Sequence, residues 1–310
     1  MTSTEKSVLQ KVCFSVEGGK PFSFWIKRDD LIDPVISGNK WRKLKFNIEK
    51  AIRGGNTGIL TFGGAYSNHL VATAKAAQTF GLKAVGIVRG DELHAESNET
   101  LISCKNFGME LRFVSRNSYA DKCSPFFLDE LRSEYPNYHV VPEGGSNFYG
   151  AAGCQEIMSE TPNDFDCVYL AGGTGTTAAG VLSSTPEKTM VHVISALKGD
   201  FLNGEITSLL HALTYDETIV SEMAERMRIV SDDRFGGYGK ANEDLIAFIN
   251  DFYGQTAVPL DPVYTGKAAF SLINDFRAGK IDSASEVLLI HTGGLQGVSK
   301  WKEELQFCQT

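Results

Sequence analysis

Gly58-Ile59-Leu60-Thr61-Phe62, then Gly63-Gly64-Ala65-Tyr66-Ser67, then Asn68-His69-Leu70-Val71-Ala72 set the pattern of this chain. The first run is short, apolar apart from Thr61 and closed by glycine, which predicts a buried strand over 58–62. The third opens a helix over 68–80, with Ser67 or Asn68 as its cap. Outward from this unit the alternation continues. Strands are predicted at 84–88, 111–114, 139–141, 166–170, 191–197 and 287–291, with helices at 100–107, at 125–135 behind a Ser124 cap, and from 149 onward. Apolar, β-branched strands separated by helices predict an α/β fold with mostly parallel sheets covered on both faces. With no linker in sight, a division into two lobes would have to come from the chain crossing back on itself.

The 310 residues suffice for one large domain or two ordinary ones. Net charge is −8, so a nucleic-acid surface is not expected. No run approaches the length needed to cross a bilayer, so a membrane span is not expected either. The densest basic cluster, Lys40, Arg42, Lys43 and Lys45, suits one small anion. Met1 to Lys11 lacks the apolar core of a signal peptide. The six cysteines are scattered without a C-x-x-C pair, as are the six histidines. Reduced thiols, no metal site and a cytoplasmic location are the expectation.

Glycine pairs stand at the strand ends: Gly63-Gly64, Gly144-Gly145, Gly172-Gly173 and Gly293-Gly294. Ligands of open α/β sheets bind at the carboxyl ends of strands, so these loops are candidates for one ligand crevice. Gly172-Gly173-Thr174-Gly175-Thr176-Thr177 leads into a helix of small residues. Its N–H groups and hydroxyls would form a compact cup for a phosphomonoester. Gly173, Gly175 and Ala178 also satisfy a loose dinucleotide pattern, but no acidic residue follows the next strand. The Ser67-Asn68 turn offers a hydroxyl, an amide and helix-terminal N–H groups for a carboxylate or a phenolic oxygen. Lys40, in Ser37-Gly38-Asn39-Lys40, begins a helix marked by Trp41, Leu44, Ile48 and Ile52. The helix dipole there disfavours the ammonium, and a neutral amine attacks carbonyls to give a Schiff base. Tyr238 and Tyr264 lie in glycine-flanked loops.

Taken together these segments resemble the D-cysteine desulfhydrase and 1-aminocyclopropane-1-carboxylate (ACC) deaminase family, which is of fold-type II among pyridoxal 5'-phosphate (PLP) enzymes. The likeness runs in order through Lys27-Arg28-Asp29-Asp30, Gly38-Asn39-Lys40, Gly64 to Asn68, Gly144 to Asn147, Thr174 to Thr177, Asp261-Pro262-Val263-Tyr264 and His291-Thr292-Gly293-Gly294. It implies two three-layer lobes, 1–44 with 154–310 and 45–153, and a homodimer. By the same resemblance Lys40 joins PLP as a Schiff base and Lys43 aids the Thr174, Gly175, Thr176 and Thr177 loop with the phosphate. Asn68 meets the cofactor's phenolic oxygen, Ser67 the substrate carboxylate, and Tyr264 and Tyr238 are active-site tyrosines. Where ACC deaminases carry glutamate after the tyrosine and leucine after the histidine, this chain has Thr265 and Thr292, as desulfhydrases do. His69 stands where the deaminases have glutamine. The expectation is a PLP lyase acting on D-cysteine or a related small D-amino acid, with ACC deaminase as the alternative and a nicotinamide oxidoreductase as a distant one.

Overall fold

The computed structural model describes residues 4–16, 20–162, 164–231, 235, 237 and 239–309. The chain divides into two compact units, Met1–Asn39 with Cys154–Thr310, and Lys40–Gly153.

The first unit opens with β1 (Leu9–Ser15) and β2 (Pro21–Lys27), an antiparallel pair. Helix α1 (Asn39–Arg53) begins at the boundary and runs into the second unit. There follow β3 (Gly58–Gly64), α2 (Asn68–Thr79), β4 (Lys83–Arg89), α3 (Glu99–Asn106), β5 (Met109–Val114), α4 (Arg116–Ala120), α5 (Pro125–Glu134), β6 (Tyr138–Val141) and the start of α6 (Phe148–Ser159). The four strands form one parallel sheet in the order β5-β4-β3-β6. β3 lies centrally and is buried at six of its seven residues, as its apolar run requires. Ser124 caps α5 as expected, accepting from Phe127 N at 3.2 Å.

The chain then returns to the first unit with β7 (Cys167–Gly172), α7 (Thr176–Ser184), β8 (Met190–Ser195), α8 (Phe201–Thr214), α9 (Glu217–Glu225), β9 (Met227–Ser231), α10 (Glu243–Thr256), α11 (Thr265–Arg277) and β10 (Val287–Ile290). Its sheet has the order β1-β2-β10-β7-β8-β9 and is parallel except for the β1–β2 pair. β1, β2 and β9 are absent from the sequence-based expectation. In β1 and β2, buried Val12, Phe14, Phe22, Phe24 and Ile26 alternate with exposed or half-exposed neighbours, so no continuous apolar run marks them. Their inward rings join the aromatic core on α10 and α11: Phe14 stacks on Phe252 at 5.6 Å and Phe22 on Phe276 at 4.1 Å.

Each sheet has one place where the order of succession reverses, and ligands of such sheets bind at that place. In the first unit it lies between β7 and β10, at the loops 173–175 and 291–294. In the second it lies between β3 and β6, at the loops 65–67 and 142–147.

Candidate active site

In the second unit, Lys40 is half-buried in the first turn of α1, and Lys43, one turn on, is only 5 % exposed. The backbone of α1 is tied to the loop after β6. Asn47 Nδ2 donates to the Lys43 carbonyl at 2.8 Å, and Asn47 and Asn147 exchange amide hydrogen bonds of 2.8 and 3.1 Å. In that loop Gly145 has φ +72°, and a Cβ on it would lie 3.0 Å from Lys43 Cβ and 3.5 Å from His69 Cε1. Glycine is required there by both the backbone and the space.

Ser67 caps α2, its Oγ accepting from Leu70 N at 3.4 Å, which leaves its own proton to donate. A Cβ on Gly63 would stand 2.8 Å from Ser67 Oγ, so the glycine permits this turn. Asn68 is half-buried at the first position of α2. His69 is buried, with Nε2 2.9 Å from Thr61 Oγ1. Burial, with the Lys43 and Lys40 ammoniums adding to it, lowers its pKa to about 3. Among the described residues its buried Nδ1 has no hydrogen-bond partner, a condition that costs about 1–3 kcal/mol.

In the first unit, the loop after β7 turns into α7 through Gly175, at φ +76°. Thr176 and Thr177 are buried at the helix start, and Thr174 Oγ1 lies 3.0 Å from Thr176 Oγ1. Asn39 Nδ2 donates to Thr177 Oγ1 at 2.9 Å. Tyr264 lies against this loop, its Cε1 3.5 Å from where a Cβ on Gly173 would be.

The loop before α11 is organised by Asp261, whose importance the sequence reading missed. Its carboxylate, 2 % exposed, accepts from Val263 N and Tyr264 N at Oδ2 (2.9 and 2.8 Å) and from Thr265 N and Thr265 Oγ1 at Oδ1 (2.9 and 2.7 Å). Thr265 Oγ1 in turn accepts from Asp261 N at 2.9 Å. The signal was available as an Asp four residues before a Thr at a helix start, an Asx-type cap. Thr292 is buried, and its carbonyl accepts from Asn39 N at 3.1 Å. The preceding His291 Nε2 is 2.6 Å from the Pro259 carbonyl, so Nε2 carries the ring proton, and Nδ1 accepts from Gly293 N at 3.3 Å. Lys27-Arg28-Asp29-Asp30 is structural: Arg28 grips Asp30 at 2.9 and 2.7 Å, and the Asp29 carbonyl receives Gly38 N at 3.1 Å. Tyr238 lies outside the described residues.

Comparison with known proteins gives the family. The model of the family of pyridoxal-phosphate-dependent enzymes matches residues 14–293, and the chain belongs to that family. Within it the chain falls among the ACC deaminases and D-cysteine desulfhydrases. It is 31 % identical over 300 residues to the bifunctional D-cysteine desulfhydrase/1-aminocyclopropane-1-carboxylate deaminase of Arabidopsis thaliana, covering 88 % of this chain and 73 % of that one. It is 31 % identical over 292 residues to a D-cysteine desulfhydrase of Klebsiella pneumoniae, covering 87 % and 86 %. Among solved structures, an ACC deaminase homologue superposes with a TM-score of 0.79 at 26 % identity, covering 98 % of this chain and 94 % of that one. The protein is therefore a PLP-dependent lyase of this group with the fold-type II architecture.

The residues present fit that cofactor. Buried threonine hydroxyls at the N-terminus of α7 suit a phosphate dianion, which the helix end attracts. The loop holds no glycine-lysine-threonine ending and no ribose-binding acid, so the dinucleotide alternative gives way. Among the described residues no helix is long and apolar enough to cross a membrane.

Proposed function

We propose that this chain is a D-cysteine desulfhydrase: it eliminates hydrogen sulfide from D-cysteine or a related small D-amino acid, and water hydrolyses the unsaturated amine left behind to pyruvate and ammonia. The observation that carries this reading is the state of the Asp261–Thr265 loop. Thr265 stands where an ACC deaminase would have glutamate, and its one proton goes to Asp261 Oδ1. Each Asp261 oxygen already accepts two hydrogen bonds, so that carboxylate has no remaining site for a ring nitrogen. A cofactor ring without a carboxylate partner is the weaker electron sink. That is enough for β-elimination, where a good leaving group departs, and poorly suited to opening an unactivated cyclopropane.

Bound PLP supplies the sink for the electron pair released at Cα. The residues of the chain do the rest. Lys40 holds the cofactor and then takes the α-proton as general base. Ser67 Oγ–H donates to the substrate carboxylate, and Asn68 binds the phenolic oxygen. Lys43, Thr174, Gly175, Thr176 and Thr177 hold the phosphate, and Thr292 lies by the ring. Tyr264, and Tyr238 by resemblance, orient the carboxylate or protonate the departing sulfur. The assembly is a homodimer, for which light scattering is the check.

A second reading is kept because the Arabidopsis relative bears both activities in its name. One purified, PLP-loaded sample offered D-cysteine and ACC separates them. Pyruvate with hydrogen sulfide supports the desulfhydrase; 2-oxobutanoate from ACC at a comparable kcat/KM overturns it.

A further inference from the structure

Within the second unit a pocket of about 300 Å³ lies at the carboxyl ends of β4, β5 and β6, lined chiefly by Arg89, Arg116, Tyr119, Lys122 and Glu143. Three cations face one carboxylate, so the pocket is electropositive. Two of the cations are already matched: Arg116 pairs with Glu92, which stands outside the lining, and Lys122 Nζ lies 3.3 Å from Glu143 Oε2. Arg89, the last residue of β4, has no ion pair among the described residues. Its guanidinium lies 5.9 Å from the centre of the Tyr119 ring, and Lys122 Nζ lies 5.0 Å from that same ring. Tyr119 is only 3 % exposed, and its hydroxyl meets no hydrogen-bond partner among the described residues. Burial, then the charge of Glu143, pushes the pKa of that hydroxyl up, so it keeps its proton and can donate it. Buried hydroxyls are paired in the great majority of native structures. A buried phenol and a guanidinium, both uncommitted and both lining one pocket, call for an oxygen acceptor carrying negative charge.

We propose that this pocket is a second ligand site, binding a small oxyanion through the guanidinium fork of Arg89 and the hydroxyl of Tyr119. The ligand is an organic acid or a phosphate ester. The fork supplies two parallel N–H donors matched to two oxygens of a carboxylate or phosphate, and Tyr119 supplies a third donor. Lys122 and Arg116 add positive charge without leaving their own carboxylates. The volume is at the lower end of the range for small-molecule sites, which leaves room for a short carbon skeleton behind the charged group. The site is separate from the turn at Ser67. Successive residues of a strand point to opposite faces. A Cβ on Gly63 would lie 2.8 Å from Ser67 Oγ, whereas one on Gly64 would lie 3.5 Å from Arg89 Nη2. The proposal does not depend on the role assigned to Lys40 or on the substrate.

The test is calorimetric titration of the full-length, PLP-loaded protein with inorganic phosphate and, separately, with succinate, at constant ionic strength. PLP loading keeps the threonine cup at α7 from being the site titrated, and Ser67→Ala, run alongside, removes the other candidate donor to a carboxylate. At least one probe should bind saturably. Its affinity should fall roughly tenfold in Arg89→Gln and about fivefold in Tyr119→Phe, and hold in Ser67→Ala. Saturation by phosphate alone assigns the site to phosphate esters, and by succinate alone to organic acids. No saturable binding of either probe overturns the proposal, and so does an affinity equal to wild type in Arg89→Gln or Tyr119→Phe. Tyr119→Phe also reads the fold: it should melt no lower than wild type, because the hydroxyl it removes serves no described protein group. A lower melting temperature would show the hydroxyl working within the fold and would overturn its assignment to a ligand.

Discussion

The side-chain amide of Asn39 donates to the hydroxyl of Thr177 across 2.9 Å. The residue immediately before the candidate Schiff-base lysine is thereby fixed to the candidate phosphate loop. Its backbone is fixed as well, Asn39 N donating to the Thr292 carbonyl and Gly38 N to the Asp29 carbonyl, each at 3.1 Å. Three loops at the carboxyl ends of the first sheet thus set where α1 begins.

Asn39→Ala removes the amide and leaves the buried Thr177 hydroxyl without that donor. The expected cost is about 1–2 kcal/mol of stability. PLP affinity should weaken roughly fivefold to tenfold, since about 1 kcal/mol of loop ordering is lost. Denaturant unfolding and a PLP titration of the apoprotein measure the two. Unchanged PLP affinity would show that the loop keeps its shape without Asn39.

The parallel strands were legible because strands buried on both faces read as near-continuous apolar runs: Ile59 to Phe62, Val85 to Val88 and Leu288 to Ile290 are examples. The β1–β2 hairpin was not, because it shows its core only at alternate positions and pairs with residues far along the chain. The glycine-bearing loops were legible because strand, glycine and helix follow each other locally. The state of His69 was not. It depends on Thr61, eight residues away, and on Val141, whose carbonyl reaches Thr61 only through the pairing of β3 with β6. Asp261 was passed over because it read as part of a motif rather than as the acceptor for a whole loop.

Lys40→Ala removes both the amine that binds the aldehyde and the general base. The band of the cofactor Schiff base should vanish from the protein, and turnover should fall by at least the roughly 10²–10⁴-fold that a positioned base contributes. Spectra and pyruvate release after PLP loading check this. Retained turnover would move the chemistry to another lysine.

The buried His69 couples stability to pH. Its folded pKa, about 3, lies below the unfolded 6.5. Between those values the unfolded chain binds the proton and the folded one does not. This histidine therefore has no effect above about pH 6.5 and destabilises the fold progressively as pH drops below it, by about 1.4 kcal/mol per unit. Denaturant unfolding of wild type and His69→Gln at pH 7, 6 and 5 measures the difference. The stability gap between the two should move in favour of the variant as pH falls, and a gap independent of pH would contradict the assigned state of the ring.

Asp261→Asn keeps the volume but replaces an oxygen that accepts two hydrogen bonds with an amide nitrogen that donates. Two of the four donors now on the carboxylate would face a donor in return. A loss of about 2–4 kcal/mol is expected, from broken charge-assisted bonds and unmatched N–H groups. Tyr264, whose N–H is one of those donors, should be displaced, lowering kcat more than it raises KM. A variant as stable as wild type would mean that the loop before α11 is shaped by packing instead.

Gly38 admits no side chain. Its φ is +61°, and a Cβ there would sit 2.1 Å from the Thr292 carbonyl oxygen and 2.6 Å from Gly293 N. The left-handed backbone alone costs alanine about 1–2 kcal/mol. The clash adds more, because it is with backbone that cannot rotate away. Relieving it means moving the loop after β10 or the start of α1, and either movement breaks the bond from Asn39 N to the Thr292 carbonyl. Gly38→Ala should therefore lose the PLP Schiff-base band as well as thermal stability. Gly55→Ala is the control: it has a similar φ of +69° with nothing within 4 Å of its Cβ position, so it carries the backbone cost without the clash. Melting curves and PLP spectra of the two variants side by side separate the terms. Equal losses in both would leave strain, and not the contact with Thr292, as the reason for glycine before Asn39 and Lys40.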